Sequence, residues 1–465
     1  MRAMGGWGDG GVGRPGRLED AGKPNVRGPE ALVARYWRMA VSPSPHLPIA
    51  VSLCAVALLV VGCRATPGEA PSGRERLTAE PRVRVGLVVD SAAVALSAAG
   101  GLRIAGPAGE DVARSAAAGW TIAAGPDGRL SGSGGGRSFG PVAGPLTLSP
   151  AQGADPAAPL RVNGRPYRGT VLVRSDRPGR VTAVNVLELE EYLKGVVPFE
   201  IGRLTPGELE AVKSQAVAAR TYAIGRMGKG PAGFDFYATV QDQVYGGLGG
   251  EDSVATRAVK QTRGEIVTYR GQPIMAYYSS TCGGQTAASP ESWPWRPPQP
   301  YLQSVSDRIP GSDRAYCDIS PRYRWTTRWT LEQLRRVLRT PLAALDRRPP
   351  ASVRQVEAVR ILGRTPSGRV DSVHIRADGR DYTVRADSIR WVLRMSSGAG
   401  LNSSMLFDAT LHPEGDSIAL EVHGGGYGHG IGMCQYGAIG RARAGQSYRQ
   451  ILGAYYQGTR ITRLY

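Results

Sequence analysis

The stretch TPGELEAVKSQAVAARTYAIGRM is the best helical sequence in the chain, and it stands among long reaches that read as short strands. Thr205-Pro206-Gly207-Glu208 is a capping box with proline at the first helical position. Leu209, Val212, Ala216, Ala219, Ala223 and Met227 then recur at spacings of three and four and make one apolar stripe. Lys213 and Arg220 project together from another face, as on a solvated basic surface. Around this helix, 63 glycines and 34 prolines in 465 residues favour turns and β-structure over a helical bundle. The predicted fold class is α+β: a strand-rich domain around a groove-bearing helix, with an inserted α/β subdomain.

The boundaries follow from shifts along the chain. Residues 1–38 have no hydrophobic periodicity and read as unstructured, or as a start assigned too early. Residues 39–63 read as a signal peptide, with Arg35 and Arg38 as a positive flank. Ile49 to Val61 is apolar but too short to span a bilayer comfortably. It ends in Val60-Val61-Gly62-Cys63, similar to a bacterial lipobox, in which Cys63 would carry the lipid. Residues 64–81 read as a linker. The expected location is therefore outside the cytoplasm, on a membrane through a lipid anchor, facing the cell wall or periplasm. Residues 82–160 form a β-rich region, where Val83, Val85 and Leu87 alternate with Arg82, Arg84 and Gly86. Asn163-Gly164 marks a hairpin turn. Residues 161–465 form the main domain, and about 325–422 read as its insert.

A formal net charge of +18 suits polyanionic partners, or reflects an arginine-rich composition. No nucleic-acid motif accompanies it, so nucleic acid is not an expected partner. Export would remove Cys54 and lipidate Cys63, leaving Cys282, Cys317 and Cys434. Two of these can pair in an oxidising compartment, and the pair taken is Cys282–Cys317. Its loop of about 36 residues would give roughly 3–4 kcal/mol. Cys434 is then a buried free thiol.

The glycine-rich stretch HGGGYGHGIGMCQYGA, His423 to Ala438, does not fit a nucleotide cradle. Neither HExxH nor CxxC occurs, and His423 and His429 are poorly spaced for zinc. No cofactor and no metal are expected.

Six motifs occur in order: LELEEYLKGVVPFEIG, ELEAVKSQAVAARTYAI, DQVYGG, MAYYSSTCGGQT, PYLQSVSD and GGGYGHGIGMCQYGA. Together they resemble the SpoIID/LytB family, over about residues 160–465. The resemblance implies a role on peptidoglycan. SpoIID-type members are lytic transglycosylases that cut the β-1,4 bond between N-acetylmuramic acid and N-acetylglucosamine in denuded glycan strands, leaving a 1,6-anhydro sugar. LytB-type members are enhancers of a cell-wall amidase. The alternative reading is accordingly a non-catalytic peptidoglycan binder that recruits or stimulates an amidase.

The family's catalytic acid falls on Glu200 in VVPFE. A single carboxyl suffices when the sugar's own C6 hydroxyl is the nucleophile, since the same group can give and then take a proton. Apolar neighbours (Val196, Val197, Pro198, Phe199, Ile201) would raise its pKa. Lys213, Gln243, Tyr278, Ser279, Ser280 and Gln435 are the sugar contacts implied by the motifs. Arg220 is either another contact or a structural ion-pair partner. Tyr301 is either a stacking face or a core residue. His429 bonds the substrate, holds Glu200, or is structural. Some members bind zinc through two cysteines before the Gln-Val-Tyr motif and a nearby histidine. FDFYATVQDQVY has neither residue type, and Tyr278 stands where some members have histidine. No zinc is expected there.

Overall fold

The computed structural model describes residues 77–465 apart from 116–118, 152–158, 231–232, 347–351, 396–403, 406 and 413–418. The expected leader, signal peptide, lipidated Cys63 and most of the linker lie outside the described residues.

The chain first makes a run of strands: β1 (Arg82–Ser91), β2 (Ala93–Ala98), β3 (Leu102–Ala105), β4 (Asp111–Ser115), β5 (Trp120–Ala124), β6 (Leu130–Gly134), β7 (Arg137–Val142), β8 (Leu146–Pro150), β9 (Leu160–Val162), β10 (Arg165–Tyr167), β11 (Thr170–Arg177) and β12 (Arg180–Glu188). Helices α1 (Leu189–Ile201) and α2 (Leu209–Arg226) follow, then β13 (Phe236–Tyr237), α3 (Ser253–Gln261), β14 (Glu265–Tyr269), β15 (Gln272–Pro273), β16 (Tyr278–Ser279) and a single turn, α4 (Ser289–Ser292). The next segment holds β17 (Trp325–Trp329), α5 (Leu331–Leu345), β18 (Val356–Arg364), β19 (Val370–Ala377), β20 (Arg380–Arg385), α6 (Ser388–Val392), β21 (Phe407–Leu411) and β22 (Leu420–Gly424). The chain closes with β23 (Met433–Cys434), α7 (Gln435–Arg443), α8 (Tyr448–Tyr455) and β24 (Arg460–Arg463). The fold is α+β.

Two large sheets carry the first part, in the orders β13-β1-β12-β11-β8-β3-β4 and β10-β9-β2-β5-β6-β7. Their alternating apolar residues, among them Val83, Leu96, Ile104, Trp120, Ile122 and Leu148, fill one core. Asn163-Gly164 turns β9 into β10 as the dipeptide demands. The boundary expected at residue 160 falls inside these sheets, because β11 and β12 pair with β8 and β1.

Helix α2 starts from the capping box, with the Thr205 N–H donating to Glu208 Oε2 at 2.9 Å and a 3₁₀ turn at Pro206–Glu208. It packs against α1, α3, α7, α8 and β14. Its burial runs all round: Ala211, Ser214, Gln215, Val217, Ala218 and Arg220 are as buried as the predicted stripe. The basic face expected on it is therefore not solvated.

A second core has its own residues, from Trp329 through Leu338, Val373 and Ile389 to Val422. It is drawn from the same 325–422 segment that reads as an insert. Among the described residues no helix is long and apolar enough to cross a membrane.

Candidate active site

Glu200 is the penultimate residue of α1, which ends at Gly202 in a positive-φ conformation. The side chain is partly buried. Its Oε1 accepts the Val244 N–H at 2.8 Å, and the Gln435 side chain hydrogen-bonds it too. Both partners are neutral. Burial outweighs them and raises the carboxyl to about 7. Gln435 Nε2 also donates to Gln215 Oε1 at 3.3 Å, and Gln215 Nε2 is buried without a hydrogen bond among the described residues. Gln243 lies beside this group, donating to the Tyr278 hydroxyl at 2.9 Å and accepting from the Tyr192 hydroxyl at 3.3 Å. Both hydroxyls are pushed up by burial and then by the nearby Glu200. Glu200, Gln243, Tyr278 and Gln435 thus come together, joined by Gln215, Tyr192 and the Val244 amide. Tyr192 was not anticipated. It sits in the same helix as Glu200, but nothing in its spacing marks it out from a core tyrosine.

The glycine-rich stretch reaches this group at its far end. Strand β23 pairs parallel with β16, Tyr278 against Met433 and Ser279 against Cys434, and Gln435 begins α7. Gly432 has φ 72°, and a Cβ there would lie 2.0 Å from the Tyr277 carbonyl oxygen. Only glycine permits that approach. At its near end His423, Gly424 and Gly425 line a cleft of about 680 Å³ with Arg324, Trp325 and Arg364.

Other expected contacts lie elsewhere or are committed. Arg220 is fully buried and bidentate to Glu190, at 2.8 and 2.7 Å, and also donates to the Val259 and Glu265 carbonyls. It is an ion-pair partner that joins α1, α2, α3 and β14, and it is sealed from a sugar. Lys213 pairs with Glu210 at 2.7 Å and lies over the Tyr448 ring. Tyr301 is buried beside Tyr269, its hydroxyl accepting the Met275 N–H at 3.3 Å, so it offers no stacking face. Ser279 is buried, and the Ser280 carbonyl accepts the Tyr436 N–H. His429 accepts the Ile431 N–H on Nδ1 at 3.0 Å, bonds the Tyr278 backbone and packs on Trp293. Burial lowers it to about 4, which keeps it neutral. Of its three readings the geometry carries the structural one: it fastens the loop to β16.

The Cys282–Cys317 disulfide is not formed. Both are free thiols with Sγ atoms 3.6 Å apart, where a bond needs about 2.05 Å. Cys434 is free and buried as expected.

A family model described as stage II sporulation protein matches residues 177–269, which span α1, α2 and the Gln243–Tyr245 motif. A domain of unknown function matches 311–432, the insert and the start of the glycine-rich loop. The stage II sporulation protein D of Bacillus subtilis (strain 168) is 32% identical over 297 residues, covering 60% of this chain and 76% of that protein. Its counterpart in Bacillus amyloliquefaciens is 33% identical over 301 residues, covering 60% and 76%. The amidase enhancer of Bacillus subtilis (strain 168) is 31% identical over 312 residues, covering 58% of this chain but only 40% of the enhancer's own length. A strand-rich α+β domain with a partly buried glutamate on α1 and this set of relatives defines the class: the chain belongs to the SpoIID/LytB family, that of stage II sporulation protein D and the amidase enhancer.

Proposed function

We propose that the chain is an exported, lipid-anchored protein of cell-wall remodelling, and that it is a lytic transglycosylase of peptidoglycan glycan strands. The observation that carries this reading is Glu200, a carboxyl raised to about 7 by burial and held only by neutral donors. Near neutral pH such a group is protonated often enough to act as an acid. It gives its proton to the glycosidic oxygen as the bond from the muramic acid C1 breaks. The C6 hydroxyl of the same sugar closes on C1, and the Glu200 carboxylate takes the hydroxyl proton. The 1,6-anhydro ring forms, the N-acetylglucosamine end leaves with a free hydroxyl, and Glu200 returns to its starting state. Gln435 and the Val244 amide position the carboxylate between the two transfers. Phe199, 51% exposed beside Glu200, supplies an apolar face for a sugar ring, the part that Tyr301 cannot play.

The test is product analysis on denuded glycan strands. The wild-type chain should release anhydro-muramic ends. Glu200→Gln should lower the rate by about 10²–10⁴-fold while still binding the strands. Full activity in that variant would remove Glu200 from the chemistry. Phe199→Ala should raise KM more than it lowers kcat.

A second reading rests on the amidase enhancer among the relatives. In it the chain binds glycan without cutting and stimulates a partner amidase. Amidase stimulation that survives Glu200→Gln, with no anhydro ends from the wild type, would select this reading.

A further inference from the structure

Cys282, Asp307, Cys317 and Cys434 are far apart in sequence and converge in the core, where one ligand atom from each lies within 4.8 Å of all the others. All four residues are buried. Cys282 follows β16, Asp307 stands beside the bridge of Arg308 with Ala315, Cys317 lies in the 3₁₀ turn Tyr316–Ile319, and Cys434 caps α7. We propose that these residues bind a divalent metal ion, zinc in type, through three thiolates and one carboxylate. The ion would staple β16, the loop from Asp307 to Cys317 and the start of α7. The proposal does not depend on the role of Glu200.

Two edges of the ligand set match those of a tetrahedron, and all ligand atoms lie within 4.8 Å of one another. With Zn–S near 2.3 Å and Zn–O near 2.1 Å, sulfur–sulfur edges are about 3.8 Å and sulfur–oxygen edges about 3.6 Å. Cys282 Sγ lies 3.6 Å from Cys317 Sγ and 3.6 Å from Asp307 Oδ2. Thiolates also favour zinc over the hard cations, which prefer all-oxygen sites.

The surroundings suit bound ligands. Asp307 Oδ1 accepts the Tyr455 hydroxyl at 2.7 Å and Arg441 Nε at 3.2 Å, which turns Oδ2 toward Cys282. Cys434 Sγ accepts the Cys282 N–H at 3.1 Å and the Gly437 N–H at 3.3 Å. Orienting bonds of this kind fix metal ligands and tune them. A divalent ion would leave the ligand set with two excess negative charges, and two buried arginines stand beside it. Arg441 pairs with Asp307, and Arg369 donates to the carbonyls of Cys282 and Gln285. Arg369 comes from the turn between β18 and β19, so the insert supplies part of this charge. At Gly430 a Cβ would lie 2.4 Å from the Arg369 Nη2, so the glycine-rich loop makes room for the guanidinium.

The experiment uses the full chain, purified in reducing, chelator-free buffer with Zn²⁺ supplied. About one Zn²⁺ per chain is expected by elemental mass spectrometry. Co²⁺ in its place should show thiolate-to-cobalt charge transfer in the near ultraviolet and tetrahedral visible bands. Asp307→Cys should strengthen the charge transfer. Tyr455→Phe keeps every ligand and removes one bond to Asp307, so Zn²⁺ affinity measured against a chromophoric chelator should fall about 10–100-fold. Wild-type protein without zinc, a cobalt complex without sulfur charge transfer, or a Cys282–Cys317 disulfide in non-reducing peptide maps would each overturn the proposal. These wild-type measurements decide it even if a cysteine variant fails to fold.

Discussion

At Glu200 the neighbours along the chain explain little of the environment. Val196, Val197 and Pro198 are buried, but Phe199 is half exposed. The burial that raises the carboxyl comes with Tyr192, Tyr278 and Gln435, two of them from distant segments. The motif made Glu200 legible, and the apolar flank gave the right direction for a reason that is only partly right. Two pH effects follow. The protonated form is present below about 7 and lost as pH rises through it, so the proposed glycan cleavage should decline above that point. A glutamate in the unfolded chain titrates near 4.5, so the folded state holds the proton more tightly. This contribution to stability is whole below the unfolded value and disappears as pH rises through about 7. Glu200→Gln should therefore raise the melting temperature at pH 8, by an amount worth roughly 1–3 kcal/mol, and leave it unchanged at pH 4. Thermal unfolding at the two pH values checks this.

At the scale of elements, α2 shows what periodicity reveals and what it hides. The capping box and the apolar stripe located the helix. They did not show that its opposite face is buried too, because Arg220 reads as a solvent residue until Glu190 is brought against it. That partner lies 30 positions away on α1, and no spacing rule links them. Removing one member leaves an unpaired charge in the core. Arg220→Met and Glu190→Gln should each cost about 3–5 kcal/mol in denaturant unfolding, and the double variant less than their sum. The cysteine cluster is hidden from the sequence for a related reason. A search for paired cysteines finds local spacing, whereas Cys282, Cys317 and Cys434 are brought together by β16, a 3₁₀ turn and α7.

At the scale of the whole molecule, the α+β class and the strand-rich start were legible from glycine, proline and alternation. The order of strands was not, since β1 finds β12 across ten intervening strands. Two cores imply two responses to damage. Trp329 is fully buried in the second, its indole N–H donating to the Arg394 carbonyl at 3.0 Å. Trp329→Ala should cost about 3–5 kcal/mol there. Hydrogen exchange should then quicken across β17–β22 while β1, β11 and β12 keep their protection.

The grip on Glu190 also sets a timetable. Its carboxylate is held by Arg220, by the Gly264 amide and by the Tyr465 hydroxyl, which lie 30, 74 and 275 positions further on. Contacts between such distant residues close slowly, because a long loop must be ordered before they repay it. The junction under the Glu200 helix is thus completed late, after residue 465 has been made. Until then Glu190 has Arg220 but lacks the Tyr465 hydroxyl, and the junction is incomplete. If the chain is exported as proposed, such a delay would be an advantage built into the topology.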